Sequence, residues 1–179
     1  MNTLKGVRPI DHVLTGVMVA LAAAIAVMNI TASDGAGLAH PLDSQSVLML
    51  PVFVLAAMPV LWRRRHVLAA LGVSTVIVAA SVPAFGWVTR CGFALPLAVA
   101  FAYAVARFAG PSGNHAVGLA GVVLLQFVTF VEDASTGGLE GLLIGLPVAA
   151  VAYGAGLLVQ RTAAARSVRP TLSVERVNV

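Results

Sequence analysis

The run Trp62-Arg63-Arg64-Arg65-His66 joins two long apolar stretches, and it restricts the folds open to this chain more than any other feature. Three consecutive arginines cannot be left in hydrocarbon, where each costs roughly 2.5–3.5 kcal/mol at the middle of a helix. The run must therefore be a short connection between two membrane-crossing segments. Because Lys and Arg accumulate in cytoplasmic loops, it also fixes which side of the bilayer that connection faces. Composition agrees: 59% of residues are hydrophobic and only 10% charged, against about 25% charged in a soluble domain. So few charges cannot cover a water-facing surface.

Taken in order, residues 1–12 form a short inner N-terminus with Lys5, Arg8 and Asp11. The first apolar run, Val13 to Ile30, is expected to be an uncleaved spanning helix. A polar, Gly- and Pro-marked loop with Asp34, His40 and Asp43 leads to a second run, Val47 to Trp62, which contains Pro51 and Pro59. Further spans are expected at Val67 to Phe85, Phe93 to Phe108, Ala116 to Val131 and Leu142 to Val159. The remainder, 161–179, reads as a short basic tail.

With both termini inside, Lys5, Arg8, Arg63, Arg64, Arg65, Arg107, Arg161, Arg166, Arg169 and Arg176 lie on the inner side, and of the basic residues only Arg90 lies outside. Asp34, Asp43, Glu132, Asp133 and Glu140 fall on the outer side. This asymmetry gives an all-α expectation: a polytopic integral membrane protein, a six-helix transmembrane bundle with N and C termini inside. A sequence pI near 10.2 is then a matter of orientation, not of nucleic-acid binding. Cys91 is the single cysteine, so no internal disulfide and no thiolate metal cluster are expected. The one lysine against ten arginines, with abundant Ala, Val and Gly, suggests a GC-rich bacterial genome and hence a bacterial inner membrane.

Ionisable residues in mid-span usually mark pumps, channels and membrane enzymes. The polar residues expected within these spans are uncharged, among them Asn29, Ser74, Thr75, Ser81, Tyr103, Gln126 and Thr129. Gln126 is read as an interhelical hydrogen bond, worth roughly 0.6–2 kcal/mol, with a pore contact as the other reading. Gly141 and Gly145, continued by Ala149, place small residues on one face of the last helix for close packing, within one chain or across a homodimer. Glu132, Asp133, Glu140 and His40 could form an outer sensing surface, or simply solvated loops. No catalytic motif is recognised and no cofactor is expected.

Arg8-Pro9-x-Asp11, Pro59-Val60-Leu61-Trp62-Arg63-Arg64-Arg65, the stretch Val99 to Arg107 and the closing Gly156-Leu157-Leu158-Val159-Gln160-Arg161 together resemble the membrane-spanning input region of actinobacterial sensor histidine kinases. The resemblance covers most of residues 8–166 and implies a sensor-like, two-component-like module. It stops before the coiled coil, phosphoacceptor histidine and ATP-binding domain of that family, so no autokinase activity is carried over. The expectation is a non-enzymatic sensor-like or accessory module that acts through a membrane-protein partner. A small transporter or channel subunit is the alternative, suggested by the proline-interrupted second and fourth helices.

Overall fold

A computed structural model describes residues 8–32 and 37–175, with side chains through Ala165. Lys5, Asp34 and Arg176 lie outside the described residues, as do the side chains of Arg166 and Arg169. The described residues contain no strand. They form six α-helices: α1 (Pro9–Thr31), α2 (Met49–Ala57), α3 (Val67–Phe85), α4 (Cys91–Phe108), α5 (Ser112–Phe130) and α6 (Leu142–Glu175). Helix α4 is the centre of the bundle and packs against α1, α3, α5 and α6. The surrounding contacts run α1 to α2, α2 to α3, α3 to α5 and α5 to α6.

Five helices are long and apolar enough to cross a membrane; the second apolar run, Met49–Trp62, is shorter. Five of the six expected spans therefore have membrane-crossing length, and Pro59 is the reason that the second falls short. Without an N–H the proline cannot continue the α ladder, and Met58–Trp62 tightens into a 3-10 turn. Nine α and five 3-10 residues rise about 24 Å, against about 30 Å of hydrocarbon. In 3-10 pairing the donor to the Ala56 carbonyl would be Pro59 itself. The Ser74 hydroxyl of α3 supplies that bond instead, at 2.8 Å.

Burial departs from that of a soluble protein in both the polar groups it encloses and the apolar ones it leaves outside. Asp11, Asn29, Ser74, Ser81, Arg90, Gln126, Thr129 and Asp133 are all buried, while Val13, Val76, Leu143, Ile144 and Val151 are exposed. Apolar side chains on the outside and hydrogen-bonded polar ones within suit a hydrocarbon solvent. The interior is aliphatic and alanine-rich, with Leu97 and Phe101 fully enclosed and the Phe53 and Phe93 rings 4.5 Å apart.

Small residues decide how closely the helices approach. Ala94, Ala98, Ala102 and Ala106 repeat at four-residue spacing along α4 and are all buried. At Gly156 of α6, an added Cβ would stand 2.6 Å from Ala106 Cβ and 2.8 Å from the Tyr103 carbonyl oxygen. That oxygen is backbone and cannot give way, so α4 and α6 touch at this height only because residue 156 is glycine.

Candidate functional site

The two ends of the bundle hold its charged groups, and each is built around a buried ion. At the end that the charge pattern is expected to place inside, called the inner end, helix α1 starts at Pro9, ahead of the expected apolar boundary, because proline suits the first helical position. Asp11 is thereby carried into the first turn, where its Oδ2 accepts the Arg8 N–H at 3.0 Å. Its Oδ1 accepts from Arg63 Nη2 at 3.0 Å and from Arg64 Nε at 2.7 Å. Asp11 is completely enclosed, and the Arg63 and Arg64 side chains are 10% and 22% exposed. The arginine run is thus a clamp on α1 as well as a connection, and Arg65 is left exposed. The Arg64 guanidinium also lies 5.0 Å from the Phe108 ring centre, and that of Arg107 5.8 Å.

At the opposite end, expected to face outward and called the outer end, the central group is Arg90, which is 0% exposed. Its Nη1 donates to the Glu132 carbonyl at 2.7 Å, and its Nη2 to the Ser81 and Gly86 carbonyls at 3.0 and 2.8 Å. Its Nε donates to the Ser81 hydroxyl at 3.2 Å. Burial pushes the guanidinium pKa down to about 10, partly countered by Asp133 and Glu132, so Arg90 stays charged at neutral pH.

Asp133 is the matching buried anion. One carboxylate oxygen accepts the backbone N–H groups of Arg90 and Cys91, both at 2.7 Å, at the start of α4. This is N-capping from a distant loop, with negative charge at the positive end of the helix dipole. The other oxygen accepts from the backbone and hydroxyls of Ser135 and Thr136.

Three loops are sewn together over this pair. Asp43 and Trp87 exchange hydrogen bonds at 2.9 Å each, the His40 N–H reaches the Ala134 carbonyl at 3.0 Å, and the His40 ring stacks 4.0 Å above Trp87. Asn29 at the end of α1 brackets Thr89, donating to its carbonyl at 2.8 Å and accepting its N–H at 2.9 Å. Gly86 ends α3 with φ +62, and an added Cβ there would strike the Asp43 carboxylate.

This geometry corrects one expected grouping. Asp133 belongs to the interior and is no part of an outer surface, because its carboxylate is consumed in capping α4. Glu140 is exposed, while Glu132 and His40 are half-buried. Among the described residues no three His, Cys, Asp or Glu side chains gather as a metal-binding group.

The residues singled out for packing do meet. Gln126 Nε2 donates to the Gly145 carbonyl at 3.0 Å, tying α5 to α6. An added Cβ at Gly141, in the 3-10 turn just before α6, would collide with Phe130, and one at Gly145 with Gln126 and Phe130, so both glycines let this stretch seat against α5 of the same chain. At the other end of that interface His115 Nδ1 lies 2.9 Å from the Tyr153 hydroxyl. Arg161 is exposed on α6.

Arg90 carries no motif in the sequence and stands there simply as the lone basic residue expected on the outer side. Its one signal was that very isolation: a basic residue against the topological bias must find local partners. Family models, curated proteins and solved structures were all compared with the chain, and none matches. Fold and charge placement define the class: an all-helical protein with several helices of membrane-crossing length, buried polar groups and an apolar exterior.

Proposed function

We propose that this is a non-enzymatic, multi-pass protein of the bacterial plasma membrane, a sensor-like or accessory module acting through a membrane-protein partner or a second copy. In this reading all six helices are embedded, both termini face the cytoplasm, and Arg90 and Asp133 lie beneath the outer surface. The observation that supports it best is helix α6. It begins at Leu142 under the outer loops, just after Gly141 meets Phe130, and continues to Glu175. At 1.5 Å per residue its 34 residues extend roughly 51 Å, longer than a bilayer core requires.

A change in the outer loops would reach the inner side through this one rod. The contact of Gly156 with Ala106 and Tyr103 would be the pivot, and the exposed Arg161 region the output. Photo-cross-linking from Arg161 in cells tests the reading, with capture of a distinct membrane protein expected. Joint replacement of Glu132 and Glu140 by alanine should change what is captured; an unchanged pattern removes the outer-sensing part. Capture of the chain alone, with solute flux in proteoliposomes, would instead favour a small transporter or channel, the reading suggested by the broken second helix.

A further inference from the structure

The inner end carries more positive charge than its fold consumes. Asp11 neutralises one charge among Arg63, Arg64, Arg65 and Arg107, which leaves a local excess of three. Arg65 is exposed, and its guanidinium makes no hydrogen bond or ion pair among the described residues. Arg107 adds a guanidinium whose Nη1 is enclosed without a hydrogen-bond partner.

Arg65 and His66, with Phe108 and Asn114, line a cleft of about 300 Å³. His66 and Ala69 also line a second, apolar groove of about 280 Å³, together with Pro59, Trp62 and Val73. The two cavities share a wall, so a cationic mouth opens beside an apolar trough. From His66, just before α3, the trough runs past residues 69 and 70 to the exposed Val73, about two turns, with exposed Val76 beyond it.

We propose that the paired cavities bind an anionic phospholipid. The headgroup phosphate sits at Arg65 and His66, and one acyl chain lies in the trough between Trp62 and Val73. Charge complementarity selects the headgroup, since basic pockets between helices on the cytoplasmic side attract anionic lipids. The apolar trough selects a lipid over a free anion, for which it offers no partner. The inference rests on the bilayer placement proposed above and is independent of any sensory role.

Native mass spectrometry of the full chain, purified in mild detergent with phosphatidylglycerol or phosphatidylcholine, tests it. Retention of phosphatidylglycerol over phosphatidylcholine is expected, and Arg65→Gln should weaken it about fivefold. Ala69→Trp keeps every charge but fills the trough, and should abolish the preference as well. Arg161→Gln removes one charge elsewhere and should leave retention unchanged. All three positions are exposed, and unchanged melting by circular dichroism verifies that each variant folds.

Equal retention of both lipids overturns the proposal. So does full retention in Ala69→Trp, which would mean attraction to surface charge alone, or displacement of the lipid by inorganic phosphate, which would mean a free-anion site. Extraction of the chain from cells without detergent would instead overturn the bilayer placement.

Discussion

The inner and outer ends of the bundle solve one problem, a buried ion, in different ways. At the inner end a carboxylate is held by two guanidinium groups that still reach solvent, and these are the only ion pairs among the described residues. At the outer end a cation and an anion are each fully buried and do not pair with one another. Arg90 is solvated by three backbone carbonyls and a hydroxyl, Asp133 by backbone N–H groups and two hydroxyls. Ion pairing between helices tolerates movement better, because Arg63 and Arg64 keep some of their side-chain surface exposed and can take up water there. Solvation by fixed main-chain groups tolerates it less, since every donor or acceptor released is left buried. The outer end is accordingly the rigid cap and the inner end the adjustable one.

Breaking the cap should have the largest effect. Arg90→Met strands the carbonyls of Ser81, Gly86 and Glu132, and a loss of roughly 3–5 kcal/mol in detergent unfolding is expected. A loss below about 1 kcal/mol would mean that the cap is not the rigid end. Asp11→Asn leaves Arg63 and Arg64 without their anion, but water partly replaces it, so about 1–3 kcal/mol is expected. The same comparison has a salt signature. Higher ionic strength should lower slightly the thermal stability contributed by the inner clamp, measured as the gap between parent and Asp11→Asn and acting through the exposed part of Arg64, and leave the Arg90→Met gap unchanged.

Smaller effects sharpen the contrast by testing what lies between the ends. Gly156→Ala forces α4 and α6 apart at the Tyr103 carbonyl and should cost about 1–2 kcal/mol in the same unfolding assay. Gln126→Leu removes a hydrogen bond to Gly145 but also a buried Oε1 that has no partner. The two changes offset, and less than about 1 kcal/mol is expected. Glu140→Gln, on an exposed side chain, should fall within about 0.5 kcal/mol of the parent. Any larger shift would place Glu140 in the cap.

Much of the architecture was legible because hydrocarbon is an unforgiving solvent. The helices fall close to the apolar runs, and Gln126 with Gly141 and Gly145 meets its partners across one interface, because a polar group or a small-residue stripe in lipid has few alternatives. The ends were less legible. Asp133 looked like its loop neighbours Glu132 and Glu140, and nothing local distinguishes an acid that caps a helix more than 40 positions away in the chain. The early start of α1 and the break of the second helix were hinted at by Pro9 and Pro59. Which carbonyl the Ser74 hydroxyl would rescue was not.

By itself the sequence determined the helical class and the apolar exterior. Each is a sum over many residues of one transfer cost, and sums survive ignorance of contacts. The tertiary structure alone decided that Arg63 and Arg64 close on Asp11 while Arg65 stays free, and that Arg90 and Asp133 are interior. Those outcomes depend on which few atoms meet across the fold, and the energy of a buried ion is set by its nearest partners, not by its place along the chain.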